Sequence, residues 1–156
     1  MKAVIQRVNS ASVAVEGKIT GSIDKGLMLL IGITHDDTAE DIAYIVEKTV
    51  NMRIFPAESG DSGFDQSVTD IGGSLLLVSQ FTLYASTRKG RRPGFTDAAR
   101  PEMSEPMFND VIEAFEATEI HVQTGVFGAS MNVALENAGP VTIILDSADR
   151  LAPRRG

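Results

Sequence analysis

The 156 residues predict an α+β domain: mixed and antiparallel strands form the sheet, and two main helices cover it. Three observations carry this prediction. Short segments of alternating, β-branched character crowd both ends of the chain. Two almost continuously apolar runs, Leu27–Ile33 (LMLLIGI) and Ser74–Phe81 (SLLLVSQF), have strand length, as expected of strands covered on both faces. Only two segments carry helical spacing. Strands therefore come in runs rather than alternating with helices, which excludes a doubly wound sheet.

Taken in order, Lys2–Val8 and Ser12–Val15 read as two short strands, and Lys18–Ile23 pairs back across a turn at Glu16-Gly17. Leu27–Ile33 follows. Asp37 with Glu40 reads as a capping box that opens a helix over Thr38–Met52, whose Ile42, Ile45, Val46 and Val50 share one face. Arg53–Phe55 is a short strand stopped by Pro56, and residues 57–65 (AESGDSGFD) are a polar loop. Ser74–Phe81 is the second central strand, and Tyr84–Phe95 a loop. Ser104 caps a second helix with Pro106 in its first turn and Met107, Phe108, Val111, Ile112 and Phe115 as its buried stripe. Ile120–Gln123 is a strand. Ser130–Leu135 and Val141–Asp146 are two strands joined by Glu136–Pro140. One domain over residues 1–146 and a loose tail over 147–156 complete the reading, without internal repeats.

The chain has no cysteine, so disulfide scaffolds, thiol catalysis and thiolate metal sites fall away, and a reducing cytoplasm is the expected location. No signal-peptide core and no membrane-length apolar run appear. The net charge of −7 argues against non-specific nucleic-acid coating. Its distribution is uneven. Nine acids and no Lys or Arg lie between Pro101 and Asp149, whereas Arg88, Lys89, Arg91 and Arg92 cluster without an acid among them. Such a cluster is either a solvated loop or an anion site on an acidic body.

Two histidines are present. His35 beside Asp36 and Asp37 is a poor metal site, because adjacent residues rarely point at one ion, and His121 sits in a strand without catalytic neighbours. No metal is expected. Neither GxxxxGK[ST] nor GxGxxG after a strand occurs, which disfavours nucleotide triphosphate chemistry and dinucleotide redox. Hydroxyls and backbone remain. Ser79-Gln80-Phe81-Thr82 places polar groups where a buried strand emerges, a common position for reactive groups. Asn137-Ala138-Gly139-Pro140 sets a Gly-Pro pair between strands, either a plain turn or an unusually aimed backbone.

Ala3–Val8 (AVIQRV), Asn51–Phe55 (NMRIF), Val78–Leu83 (VSQFTL), Lys89–Pro93 (KGRRP), Phe127–Met131 (FGASM) and Asn137–Thr142 (NAGPVT) occur in that order. Together they resemble the D-aminoacyl-tRNA deacylases, the D-tyrosyl-tRNA(Tyr) deacylase family. Ala138 stands where that family usually has an acid, and Ser86 where it usually has an aspartate. The resemblance implies a deacylase-like fold and a homodimer. It implies a trans-acting proofreading hydrolase that cleaves the ester between a D-amino acid, or glycine, and the 3′-terminal adenosine of tRNA. The implied partners are D-aminoacyl-tRNA and glycyl-tRNA, with no cofactor, membrane or DNA.

It further implies that Gly139 and Pro140 of one subunit, joined by a cis bond, reach into the other subunit's pocket and sort chirality. That task suits main-chain atoms, which can wall off one hand without gripping the side chain. Ser79, Gln80, Phe81 and Thr82 would form the catalytic segment, with amides near Phe81 and Thr82 as oxyanion donors and the ribose 2′-OH assisting water. Thr82 is a positioning residue, or else Thr82 or Ser79 is a covalent nucleophile, which describes a different small-ester or amide hydrolase. Phe127 and Met131 would pack on the terminal adenine, and Arg91 and Arg92 would meet phosphates. A non-catalytic RNA-end or protein-binding module is the third reading.

Overall fold

Alternation along Lys2–Val15 breaks once, and the break organises the molecule. In the computed structural model, which describes residues 1–57, 59 and 63–153, this segment is one 14-residue strand, β1. Ala3 and Ile5 point into one core, whereas Val8, Ala11 and Val13 point into another. The phase changes where pairing with the last strand is irregular, so the strand switches faces without ending. The two expected strands are therefore halves of one.

The order continues with β2 (Lys18–Ile23), β3 (Gly26–Gly32), α1 (Ala39–Asn51), β4 (Ser74–Ser79), α2 (Pro101–Glu116), β5 (His121–Thr124) and β6 (Met131–Asp146). Short 3-10 helices occupy Phe81–Tyr84 and Ser147–Leu151. The six strands form one mixed sheet in the order β2-β1-β3-β4-β5, with β6 on β1. β1 is antiparallel to β2, β3 and β6, while β3, β4 and β5 run parallel. The sheet curls until β2 meets β5. A Cβ on Gly21 would lie 2.6 Å from the Thr124 carbonyl oxygen, so only glycine permits this approach.

Curling gives the sheet two buried faces and explains the apolar runs. Leu27, Leu29, Ile31, Leu75 and Leu77 pack under α1 and α2 with Phe55, Phe108 and Phe115. Met28, Leu76 and Val78 fill the inside of the curl with Val8, Val13 and Ile23. Single strands thus serve both cores.

Several ends differ from the sequence reading. At α1 the cap is Thr38, and its N–H donates to the Asp41 carboxylate at 2.8 Å. Asp37 instead takes a hydrogen bond from the Thr34 N–H (2.8 Å) and pairs with the buried Met1 amino group. α2 starts at Pro101, so Pro106 is interior and Ser104 back-bonds to the Arg100 carbonyl (3.1 Å) rather than capping. Proline suits the first helical position because its missing N–H would have no partner there. β4 stops at Ser79. Phe55 makes only an isolated bridge to Gln66. Residues 58, 60–62 and 154–156 of the expected loop and tail lie outside the described residues. Ser147 is buried and Arg150 pairs with Asp41 at 2.9 Å, which docks the chain beyond β6.

β6 is continuous where two strands with a turn were expected. Asn137 pairs with Val8 and Thr142 with Gln6, so Ala138–Val141 bulge outward opposite the single residue Arg7. Among the described residues no helix is long and apolar enough to cross a membrane.

Candidate active site

The parallel strands β3 and β4 end together, with Ile31 opposite Ser79. Beyond them the Gln80 N–H donates to the Ile31 carbonyl (2.7 Å), and the chain turns into the Phe81–Tyr84 helix. Gly32 leaves room for this turn, since a Cβ there would sit 3.0 Å from the Gln80 carbonyl oxygen.

A cavity of about 560 Å³ opens at these strand ends. Ser79, Gln80 and Phe81 form one side, and Phe95, Ala98 and Ala99 face them. Arg100, Pro101 and Ser104 at the start of α2, Phe127–Ala129, Met131 and Val133 complete it with Ile31, Ile33 and Val78. Its wall is mainly apolar, with Ser79, Gln80, Arg100 and Ser104 as the few polar residues, the usual make-up of a small-molecule site. Phe127 leans on Phe108 of α2, with ring centroids 6.1 Å apart.

Thr82 is exposed and lies outside this lining. Its Oγ1 accepts a hydrogen bond from Gln80 Nε2 at 2.5 Å. An amide N–H donates a proton and removes none, so Gln80 does not activate the hydroxyl. Among the described residues no histidine, lysine or carboxylate hydrogen-bonds to Thr82. Tyr84, two residues on, is no substitute base. Burial first, then the carboxylates of Asp37, Asp146 and Asp41, push its phenol well above the ordinary value. His35 is committed elsewhere, its Nε2 donating to the Thr96 carbonyl (2.9 Å), and His121 is exposed at the start of β5.

Gly139 and Pro140 also lie outside the cavity of their own chain. The bond joining them is cis, and both residues are exposed at the bulge of β6. Two residues of β1 hold that bulge. Gln6 Oε1 accepts from Asn137 Nδ2 (2.8 Å) on one side and from Thr142 Oγ1 (2.5 Å) on the other. Arg7 Nε donates to the Ala138 carbonyl (2.9 Å), and Nη1 donates to that of Ile54 (2.5 Å). Gly139 has φ +121°, and its missing Cβ leaves space that the Arg7 guanidinium occupies.

The basic cluster sits on an exposed loop closed by reciprocal bonds between Ser86 and Gly94 (2.8 and 2.9 Å). Arg88, Lys89 and Arg92 share a second concavity of about 310 Å³ with Ser86, Gly94 and Thr96. Arg91 is not part of that lining.

A model of the D-Tyr-tRNA(Tyr) deacylase family matches residues 4–146, from within β1 to the end of β6, and so takes in the cavity lining and the bulge. The chain belongs to this family. Two D-aminoacyl-tRNA deacylases illustrate the likeness. That of Chloroflexus aurantiacus is 54% identical over 99% of this chain and 96% of its own length. That of Halalkalibacterium halodurans is 52% identical over 94% and 99%. Among solved structures, a c-Myc DNA unwinding element binding protein superposes with a TM-score of 0.88 at 41% identity, covering 94% of this chain and 98% of that one. A probable eukaryotic D-amino acid tRNA deacylase shares the fold, with a TM-score of 0.77 at 16% identity over 92% and 97% of the two chains.

Of the residues singled out from the sequence, Ser79, Gln80, Phe81, Phe127 and Met131 meet at the cavity of this deacylase-family chain. Thr82, Gly139, Pro140, Arg91 and Arg92 do not. Sequence reasoning missed Arg7, Gln6 and Phe95. The adjacent polar and charged side chains Gln6 and Arg7, set between the buried Ile5 and Val8, were the available signal for the first two.

Proposed function

We propose that this chain hydrolyses the ester between a D-amino acid and the 3′-terminal adenosine of tRNA, as a trans-acting proofreader of translation. One observation carries the reading. The near full-length family likeness coincides with a cavity lined by Ser79, Gln80 and Phe81, beside which the Thr82 hydroxyl has no base hydrogen-bonded to it among the described residues. An aminoacyl ester is already activated, so the protein needs to orient it and stabilise the oxyanion. Phe81 and Thr82 open a 3-10 helix, where the first amides lack intrahelical acceptors and are suited to that charge. The vicinal 2′-OH of the ribose positions water. Thr82 keeps Gln80 oriented through their hydrogen bond.

Chirality is sorted by the Gly139–Pro140 backbone of a second subunit entering this cavity. The exposure of the bulge, and its absence from its own cavity, support that arrangement. Glycine has no side chain to collide with this wall, so glycyl-tRNA is a substrate as well. Phe127 and Met131 pack on the terminal adenine, and the loop carrying Arg91 and Arg92 meets the acceptor-end phosphates. The protein acts in the cytoplasm.

The deciding experiment measures release of D-tyrosine from charged tRNA, with the L form as control. Turnover of the D form alone at low enzyme concentration is expected. Stoichiometric binding without release would make the chain a binding module. Thr82→Ala is expected to retain activity within about tenfold of the parent, as a positioning role requires. A trapped acyl-enzyme on Thr82 would overturn the water-attack mechanism in favour of a covalent hydrolase.

A further inference from the structure

Phe81 presents a difficulty that the cavity alone does not resolve. It lines the cavity, the residue is 56% exposed, and its amide is one of the two assigned to the oxyanion. A residue so exposed has few neighbours to fix its side chain, and its backbone begins a short 3-10 helix. Precise placement of donors decides how much an oxyanion hole contributes, so something must hold this residue.

Phe95 is the ring that meets it. The two centroids are 5.0 Å apart and the planes are inclined by 72°, an edge-to-face pair. Phe95 also lines the cavity. Its own position is fixed on both sides. The preceding residue, Gly94, exchanges two backbone hydrogen bonds with Ser86. After it, the Thr96 carbonyl accepts from His35 Nε2 (2.9 Å), and the Asp97 carbonyl accepts from Thr34 Oγ1 (2.6 Å). Thr34 and His35 follow β3, the strand beside β4. The base of the basic loop is thereby clamped to the sheet, and its one aromatic side chain is directed at Phe81.

We propose that Phe95 is a positioning residue for the deacylation: its ring braces Phe81 in the cavity lining and ties that lining to the clamped base of the basic loop. This inference rests on the deacylase reading above. It assigns no contact between Phe95 and the reacting atoms. Phosphate held by Arg88, Lys89 and Arg92 and ester held at Phe81 are then placed relative to each other through one pair of rings.

The test is a double-mutant cycle on D-tyrosyl-tRNA hydrolysis, using Phe95→Leu, Phe81→Leu and the double variant, with Phe95→Tyr as the conservative control. Phe95→Leu should lower kcat/KM about two- to tenfold, the rate equivalent of one edge-to-face pair. Its thermal midpoint should stay near that of the parent, and Phe95→Tyr, which keeps the ring, should restore the rate. In the Phe81→Leu background, Phe95→Leu should have no further effect, because the residue acts through Phe81. Additive losses, or a Phe95→Leu enzyme as fast as the parent, overturn the proposal. A parent inactive on every charged tRNA overturns the deacylase reading and this inference together. An active parent with an unaffected Phe95→Leu variant overturns the inference alone.

Discussion

Arg7 carries more of the site than its place in a strand announces. It is the single β1 residue opposite the four-residue bulge Ala138–Val141, and its guanidinium bridges that bulge to the Ile54 carbonyl. Removing it strips a charged donor from the Ala138 and Ile54 carbonyls, and from that of Gly63 at 3.4 Å, a well-made bond of this kind being worth about 1.5–3 kcal/mol. Arg7→Ala should therefore lower the free energy of unfolding by at least the worth of one such bond, about 1.5–3 kcal/mol. It should also weaken rejection of L-aminoacyl-tRNA, because Ala138 precedes the Gly139–Pro140 pair. Arg7→Lys should not rescue either property, since a single ammonium cannot span both acceptors as the planar fork does. Denaturant unfolding and paired D and L hydrolysis rates check this. Parent-like values for both would remove Arg7 from the site. From the sequence, Arg7 was visible only as part of a matching stretch, because its partners lie 47 and 131 positions away.

At the scale of elements, α1 and the basic loop each carry a consequence. Asp41 accepts the Thr38 N–H at the start of α1 and pairs with Arg150 beyond β6. Burial raises its pKa, but hydrogen bonds from Ser147 and Thr38 and the charge of the terminal amine outweigh burial and leave it below the ordinary value. A carboxylate that is harder to protonate in the folded state contributes its full stability above the unfolded pKa. It loses that contribution as pH falls through the lower folded value. Stability should thus drop as the pH falls below about 4, and Asp41→Asn should flatten that part of the profile while lowering stability near neutrality. Thermal midpoints between pH 2 and 7 would show it, and an unchanged acid limb in Asp41→Asn would refute it. In the basic loop, Arg92 faces the second concavity with Arg88 and Lys89 whereas Arg91 does not. Arg92→Ala should raise KM and reduce its salt dependence more than Arg91→Ala does. Equal effects would mean that the loop acts only through its net charge.

For the whole molecule, Gly139 and Pro140 are not part of the cavity of their own chain, and the function proposed above has a second copy complete the site. Complementation makes this measurable. Gly139→Val disables the bulge and Phe81→Ala disables the cavity. If two subunits share each site, mixing these two weakly active variants under exchange should recover about a quarter of the parental D-specific rate. Half of the randomly formed dimers are then mixed, and each mixed dimer holds one intact site. Recovery no greater than the sum of the separate variants would show that each chain works alone.

The sequence by itself determined the α+β class, two central strands read as Leu27–Ile33 and Ser74–Phe81, both helices, and the segment Ser79–Thr82 as the place where a buried strand meets solvent. These follow from local periodicity, which acts over a few residues. Tertiary structure alone decided that β1 and β6 are single strands, because a phase change reads locally as an ending, and only pairing along both partners shows the chain continuing. It alone decided that Asp41 rather than Glu40 completes the cap of α1, that Phe95 meets Phe81, and that Arg7 holds the Gly139–Pro140 bulge. Such contacts join residues distant in the chain, and their geometry is settled by how the sheet curls, which no short stretch of residues encodes.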